Sequence, residues 1–208
     1  MDHKITVVGI GPGSPDYLPP IAARAIARAA VLIGGSRALA AFAAPGSETY
    51  TLGKDIAAAL AYIASRLETS DVTVLVSGDP GFYSLLSALR RQFGPERLEV
   101  IPGVSSVQLA FARLACPWQD AVLASFHGRG GDDADLAYAP GKKVALLTDG
   151  DNTPRRIAGE LLARGWPPAA AVWLCAALSY PEEEIMTADL AAVAAGHGYE
   201  HCVMVVMA

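Results

Sequence analysis

Five short stretches hold the residues that could do chemistry: Gly9–Ser14 (GIGPGS), Ser77–Gly81 (SGDPG), Pro102–Ser106 (PGVSS), Ser125–Arg129 (SFHGR) and His197–Cys202 (HGYEHC). The first three are rich in glycine, proline and small hydroxyl residues. Glycine lets a ligand lie directly against backbone. Asp79 can accept from a hydroxyl or an ammonium, or cap the helix that follows it. Ser105 and Ser106 stand where a helix should begin, so N-capping and ligand contact are both open to them. In SFHGR, His127 and Arg129 form a close basic pair; the stretch is either a solvated loop or a charge-assisted fork for carboxylates. HGYEHC resembles a metal cluster only loosely, because further ligands at a familiar spacing are missing, and no metal is expected. The sequence has no GxSxG elbow and no P-loop; Gly53-Lys54-Asp55 does not make one.

GIGPGS is not a dinucleotide fingerprint. The third glycine of GxGxxG falls on Ser14, and Pro12 removes an N–H from the loop that should cradle a pyrophosphate. No Asp or Glu lies between Asp16 and Glu48, where an acid for the ribose, about 20 positions on, belongs.

The elements around these loops are α/β. Val72–Val76 is a β-branched run suited to a strand buried on both faces. After the SGDPG turn, Phe82, Leu85, Leu86, Leu89 and Phe93 fall at helical spacing. Ile5–Ile10 runs into GPGSPD, and a helix starts near Pro20, where a first-turn proline is harmless. Val31–Ile33 leads through Gly34-Gly35 to a helix with Ser36 as N-cap. Thr49–Leu52 is extended, and Asp55 caps a helix with Ile56, Leu60, Ile63 and Leu67 on its face. Leu98–Ile101 is a strand followed by PGVSS and a helix to about Leu114. The stretch Cys116–Asp120 breaks the pattern, so the reading is an N-terminal domain over residues 1–115 and a C-terminal domain over 120–208. In the latter, strands fall on Ala121–Phe126, Val144–Leu147, Val172–Leu174, Ile185–Thr187 and His201–Met207. Helices fall on Asp132–Tyr138, from Asn152-Thr153-Pro154 to Arg164, and on Leu190–Ala194. The closeness of the later strands points to a mixed second sheet after a mainly parallel first one. The first three loops each lie at a strand's carboxyl end, where open α/β sheets bind ligands, and should meet at one sheet edge.

Composition narrows the classes. With 208 residues, 52% of them hydrophobic and 18% charged, the chain can bury a core and is not disordered. A net charge of −5 argues against non-specific nucleic-acid binding. No apolar run spans a bilayer and no signal-peptide pattern appears, so no membrane is expected. Three separated cysteines, Cys116, Cys175 and Cys202, offer no disulfide framework and fit a reduced cytoplasm.

The ordered set GIGPG, SGDP and IPGVSS resembles the tetrapyrrole methylase family. GDPGFYSLL, IPGVSSVQLAFARL, PWQDA, SFHGR and LSYPEEEI narrow the likeness to the precorrin C5-methyltransferase branch of cobalamin synthesis. The resemblance covers essentially the whole chain. It implies two α/β domains with S-adenosylmethionine in the cleft between them, and a homodimer. Carried over by position, it implies cofactor contacts from Pro12, Ser77, Gly78, Asp79, Phe82, Ser105 and Ser106, and from Thr148 and the backbone of Ala177 and Leu178. Where relatives place an acidic or amide pair before LSYP, this chain has Ala176-Ala177, so only backbone contact is implied there. It further implies C5 methylation of a polycarboxylate substrate, precorrin-7 or cobalt-precorrin-7, with His127 and Arg129 meeting carboxylates and Arg37 and Lys54 as lesser candidates. A separate C15-methylating, decarboxylating domain or subunit would be its partner. No general base is assigned. Methyl transfer from a sulfonium needs positioning more than acid or base residues, which agrees with the loops' composition. The rivals are a same-fold methylase with another acceptor and a non-catalytic cofactor-binding partner of the C15 subunit.

Overall fold

The structure, a computed structural model, describes residues 3–126, 136–196, 199 and 202–208. The chain divides into two compact units, Met1–Ser105 and Ser106–Ala208.

In the first unit five strands form a sheet of order β3-β2-β4-β1-β5: β1 (Ile5–Gly9), β2 (Val31–Gly34), β3 (Glu48–Thr51), β4 (Val72–Val76) and β5 (Leu98–Ile101). All pairings are parallel, with Val7 opposite both Val74 and Val100. β4 is buried at every position, as its β-branched run requires. Alternate residues feed two cores. Val8, Leu32 and Leu75 pack with Ala22 and Ile26 of α1 (Pro20–Ala27) and Leu39 of α2 (Ser36–Phe42). Val7, Ile33 and Val74 pack with Ile63 of α3 (Ile56–Arg66) and Leu89 of α4 (Leu86–Phe93). Hence the helix after β1 and the helix after β4 lie on opposite faces of adjacent strands. That is a topological switch point, where the chain opens a crevice at the carboxyl ends.

Local chemistry explains the starts of these helices. Asp55 accepts the Ala58 amide at 3.0 Å as N-cap of α3. Ser36, expected as a cap, is instead the first helical residue of α2, and Gly35 takes the cap position without a side-chain bond. Helix α4 begins at Leu86 rather than at Phe82, because Tyr83 adopts φ 48°, which no helix accepts. Ile56, counted on the buried face of α3, is 41% exposed; Ile63 and Leu67 are buried as expected, and Ala59 joins them.

The second unit begins with α5 (Ser106–Arg113) and carries a sheet of order β6-β7-β10-β8-β9. Its strands are β6 (Ala121–Ser125), β7 (Lys143–Leu147), β8 (Ala171–Ala176), β9 (Glu184–Asp189) and β10 (Val203–Met207). Only the β6–β7 pair is parallel, so the sheet is mixed, as the close spacing of the strands leads one to expect. Ile157, Ala158 and Leu161 of α6 (Pro154–Ala163) and Leu190 and Val193 of α7 (Leu190–Ala194) pack on Val144, Leu146, Val172, Leu174, Met204 and Val206. Helix α5 packs against β7 and β10, and its Val107, Leu109, Ala110 and Phe111 are buried.

The units therefore divide before α5, ahead of the Cys116–Asp120 stretch that looks like a boundary in the sequence. That stretch lies inside the second unit and is held there by Lys143, whose ammonium donates to the Pro117 carbonyl at 3.1 Å and to Asp120 Oδ1 at 2.8 Å. The helix expected over Asp132–Tyr138 falls mostly outside the described residues, and Leu136–Tyr138 are not helical.

Candidate functional site

The loops after β4, β1 and β5 stand side by side, because these three strands are neighbours in the first sheet. They meet through backbone. Gly11 and Gly78 form an antiparallel bridge: the Gly78 amide donates to the Gly11 carbonyl at 2.8 Å, and the Gly11 amide returns the bond at 3.3 Å. Both glycines have positive φ, 77° and 68°. Gly103 comes in from the third loop so closely that a Cβ on it would lie 2.3 Å from the Gly78 oxygen and 2.8 Å from the Gly9 carbonyl carbon and oxygen. A Cβ on Gly9 would lie 2.6 Å from the Gly103 nitrogen. These are contacts that only glycine permits.

Asp79 fastens the junction. Its Oδ1 accepts the Gly81 amide at 2.8 Å, which shapes the turn, and its Oδ2 accepts the Gly103 amide at 3.1 Å, which ties the β4 loop to the β5 loop. Pro80 is buried beneath. Ser84 donates to the Pro80 carbonyl and accepts the Leu86 amide at 3.1 Å, so it shapes the entry to α4. Phe82 is half-buried; its amide donates to the Asp79 carbonyl at 3.1 Å, and its ring meets Tyr83 edge-on at 4.8 Å. Ser77 is exposed at the lip, and Pro12 is half-buried between Gly11 and Gly13. Ser14 is spent on the turn that follows, where its hydroxyl accepts the Asp16 amide at 3.2 Å. Ser105 is buried and ends the first unit.

Pro12, Ser77, Gly78, Asp79, Phe82 and Ser105 thus belong to one cluster of loops at a switch point. The donor and acceptor set is mostly backbone, with one carboxylate. That chemistry suits a ligand bearing an amine, hydroxyls and a positive charge, so the residues fit S-adenosylmethionine. Sequence reasoning missed Gly9 and Gly103 as partners and Pro80 as a buried support. Glycine recurring at three strand ends was the available signal.

The remaining candidates lie in the second unit. Ser106 is the first residue of α5 and is half-buried. Thr148, after β7, is buried, and its hydroxyl is committed: it donates to the Cys202 carbonyl at 2.9 Å and accepts the Cys202 amide at 2.8 Å. A ligand contact there falls to backbone or to the remaining lone pair. Asp149 Oδ1 accepts the amides of Asp151 and Asn152 at 3.0 and 2.6 Å, and Asn152 donates to the Phe126 carbonyl at 2.7 Å. Ala177, after β8, is exposed with φ 45°, and Leu178 is buried. Burial pushes the Cys175 thiol up to about 11 and the Cys202 thiol up to about 12, so neither is a nucleophile at neutral pH. His127, Arg129 and most of His197–Cys202 lie outside the described residues. Among the described residues no three His, Cys, Asp or Glu side chains gather as metal ligands, and no helix is long and apolar enough to cross a membrane.

Comparisons with known proteins fit this geometry. The family model for tetrapyrrole (corrin/porphyrin) methylases matches residues 4–194. The chain is 45% identical over 161 residues to the cobalt-precorrin-7 C(5)-methyltransferase of Salmonella typhimurium, covering 77% of this chain and 79% of that protein. It is 36% identical over 164 residues to the precorrin-6Y C(5,15)-methyltransferase [decarboxylating] of a Sinorhizobium species, covering 78% of this chain but 39% of that longer protein. Among solved structures, the precorrin-6Y methylase of Archaeoglobus fulgidus shares the fold, with a TM-score of 0.74 at 22% identity over 99% of this chain and 97% of that one. The uroporphyrin-III C-methyl transferase of Thermus thermophilus, complexed with S-adenyl homocysteine, has a TM-score of 0.75 at 27% identity over 98% of this chain and 91% of that one. The chain belongs to the tetrapyrrole methylase family and is a methyltransferase.

Proposed function

We propose that this chain uses S-adenosylmethionine to methylate C5 of a reduced corrin precursor, cobalt-precorrin-7 or its metal-free counterpart. The observation that carries the reading is the likeness to the Salmonella enzyme across most of both chains. The cofactor reading is supported by the loop cluster of the first unit and by the ligand named for the Thermus relative. Higher identity to the enzyme named for the cobalt form than to the one named for precorrin-6Y favours the cobalt-bearing acceptor.

When bound, the cofactor supplies an electrophilic methyl group on a sulfonium. With it bound, an electron-rich acceptor carbon would take that methyl group and S-adenosylhomocysteine would be left. The chain's task is to hold two carbons at the right distance and angle. Gly9, Gly11, Gly78 and Gly103 fix the loops with backbone contacts and leave no mobile side chain at the junction. Asp79 holds the β5 loop, and in this reading its charge serves the cationic ligand. His127 and Arg129 meet substrate carboxylates in this reading. The enzyme works in the cytoplasm as a homodimer, beside a C15-methylating, decarboxylating partner of the kind the longer Sinorhizobium protein's name describes.

Calorimetric titration with S-adenosylmethionine and, separately, NADH tests the cofactor. Micromolar binding of the first alone is expected, weakened about tenfold or more in Asp79→Ala, since one substitution removes a charged hydrogen-bond acceptor. A folded chain that binds neither would sink the reading. Transfer of labelled methyl to cobalt-precorrin-7 and to precorrin-7 then tests the acceptor, by a mass gain of one methyl group in the product.

A further inference from the structure

We propose that Glu183, gripped by Arg113, is a positioning residue that fixes the loop after β8 in a shape its own sequence resists; the role assigned to that loop rests on the cofactor reading above. The loop carries Ala177 and Leu178, whose backbone that reading assigns to the cofactor.

The backbone itself poses the problem. Ala177 has φ 45° and Ser179 has φ 74°. Left-handed backbone is disfavoured for any L-residue that carries a side chain, and neither position is glycine. A loop with two such residues in three positions holds its shape only if its surroundings impose it. Leu178, between them, is buried and anchors one side. The Tyr180 amide donates to the Ala177 carbonyl, and the Glu183 amide to the Tyr180 carbonyl, both at 3.0 Å. Those bonds curl the chain until the Glu183 carboxylate comes back to the Ser179 amide, which donates to Oε2 at 2.7 Å. This bond lands on one of the strained residues.

The carboxylate is fixed in turn from the end of α5. Arg113 Nε donates to Oε1 at 2.5 Å, and its terminal Nη2 donates to Oε2 at 3.2 Å. A two-pronged guanidinium–carboxylate pair sets direction as well as distance. The Glu183 side chain is 20% exposed, so the pair is partly shielded from water. Arg113 also holds the Glu183 carboxyl below the usual carboxylate range. The chain of support runs from helix α5 through Arg113 and Glu183 to the Ser179 amide, and so to the backbone at Ala177. Glu183 is the middle of the three acids in the PEEE run, and nothing in the sequence separates it from Glu182 and Glu184.

The test uses the full chain with S-adenosylhomocysteine as calorimetric probe, the methyl-transfer assay, and hydrogen exchange at the Ser179 amide. Glu183→Ala should weaken binding about tenfold and raise KM for S-adenosylmethionine by a similar factor, with kcat within about twofold, because a charged hydrogen bond is lost while the reacting atoms are untouched. Glu183→Gln, which keeps an acceptor for the Ser179 amide, should recover binding to within about threefold; it also carries the test if Glu183→Ala does not fold. Arg113→Ala should cost about threefold, and the double variant should be no worse than Glu183→Ala, because Arg113 acts through Glu183. Exchange at the Ser179 amide should quicken in Glu183→Ala. The proposal is overturned if folded Glu183→Ala binds as the parent does, if the two single effects multiply, or if kcat falls at constant KM. A parent that does not bind S-adenosylhomocysteine removes the cofactor reading instead, and the clamp's role with it.

Discussion

In the first unit the loops after β1, β4 and β5 touch through bare backbone, with one carboxylate as fastener; in the second, the loops after β7 and β8 are pinned by side chains, Thr148 on the backbone of Cys202 and Glu183 on the amide of Ser179. The sheets explain the contrast. Three neighbouring parallel strands deliver their loops to the same edge, so the loops crowd, and close approach requires glycine. In the mixed sheet β10 runs antiparallel to its neighbours, so the loop after β7 faces the segment that enters β10 rather than another strand's exit. Thr148 and Cys202 meet across that gap, and a hydroxyl fills the space that backbone fills in the first unit. Backbone junctions should therefore fail abruptly when altered, and side-chain junctions by degrees.

The most severe expected break is Gly103→Ala. Its Cβ would stand 2.3 Å from the Gly78 oxygen and 2.8 Å from the Gly9 carbonyl, and none of those atoms can swing away. Three loops must part, and the cost should be about 3 kcal/mol or more, at the upper end for an overpacked site. Urea unfolding should show it directly, with cofactor binding lost in whatever protein folds. If Gly103→Ala costs less than half of that, the loops are looser than their contacts imply and the contrast fails at its strongest point.

Thr148→Val is the matched experiment in the second unit. It keeps volume but removes the hydroxyl that satisfies the buried Cys202 amide, while the Thr148 amide still reaches the Cys202 carbonyl at 3.3 Å. One unsatisfied buried donor should cost about 2 kcal/mol. The neighbouring thiol reports on it. Burial pushes Cys202 up to about 12, so alkylation near pH 8 has to wait for the second unit to open. A loss of about 2 kcal/mol should speed that labelling about thirtyfold. The first unit has no cysteine, so the signal belongs to the second unit alone.

How far the sequence could be read follows the same division. The first unit was legible because its message is local: β-branched runs, a Gly/Pro-rich turn after each, and an Asp55 that caps the helix beside it. The joining of those loops by Gly9 and Gly103 was not, since a glycine's need to lack a Cβ depends on what another strand brings near it. The boundary shows a second limit. Cys116–Asp120 reads as a linker because of its Pro and Trp, but the packing of α5 on β7 and β10 carries the division back to Ser105. In the second unit the decisive pairs are far apart in the chain: Thr148 with Cys202, Arg113 with Glu183. No window of sequence contains both partners. Tyr83, Ala177 and Ser179 are ordinary residues in left-handed backbone, a state that composition does not announce.

The smallest expected effect separates the two ways of holding a loop by pH. Arg113 holds the Glu183 carboxyl below its ordinary range, with the Ser179 amide adding to this. A carboxylate whose pKa is lowered by folding stabilises the folded chain above its unfolded value, about 4.3, and that contribution fades as pH falls through the lower folded value. Glu183→Gln cannot titrate there. The difference in unfolding free energy between parent and variant should hold steady from neutral pH down to about 5 and then shrink below about 4.3. Glu48, Asp71 and Asp120 are also held low by their partners, but they are present in both proteins and cancel in the difference. A difference that stays flat to pH 3 in Glu183→Gln means the Arg113 pair does not hold the charge. The loop after β8 would then rest on Leu178 and its own backbone bonds, closer to the manner of the first unit.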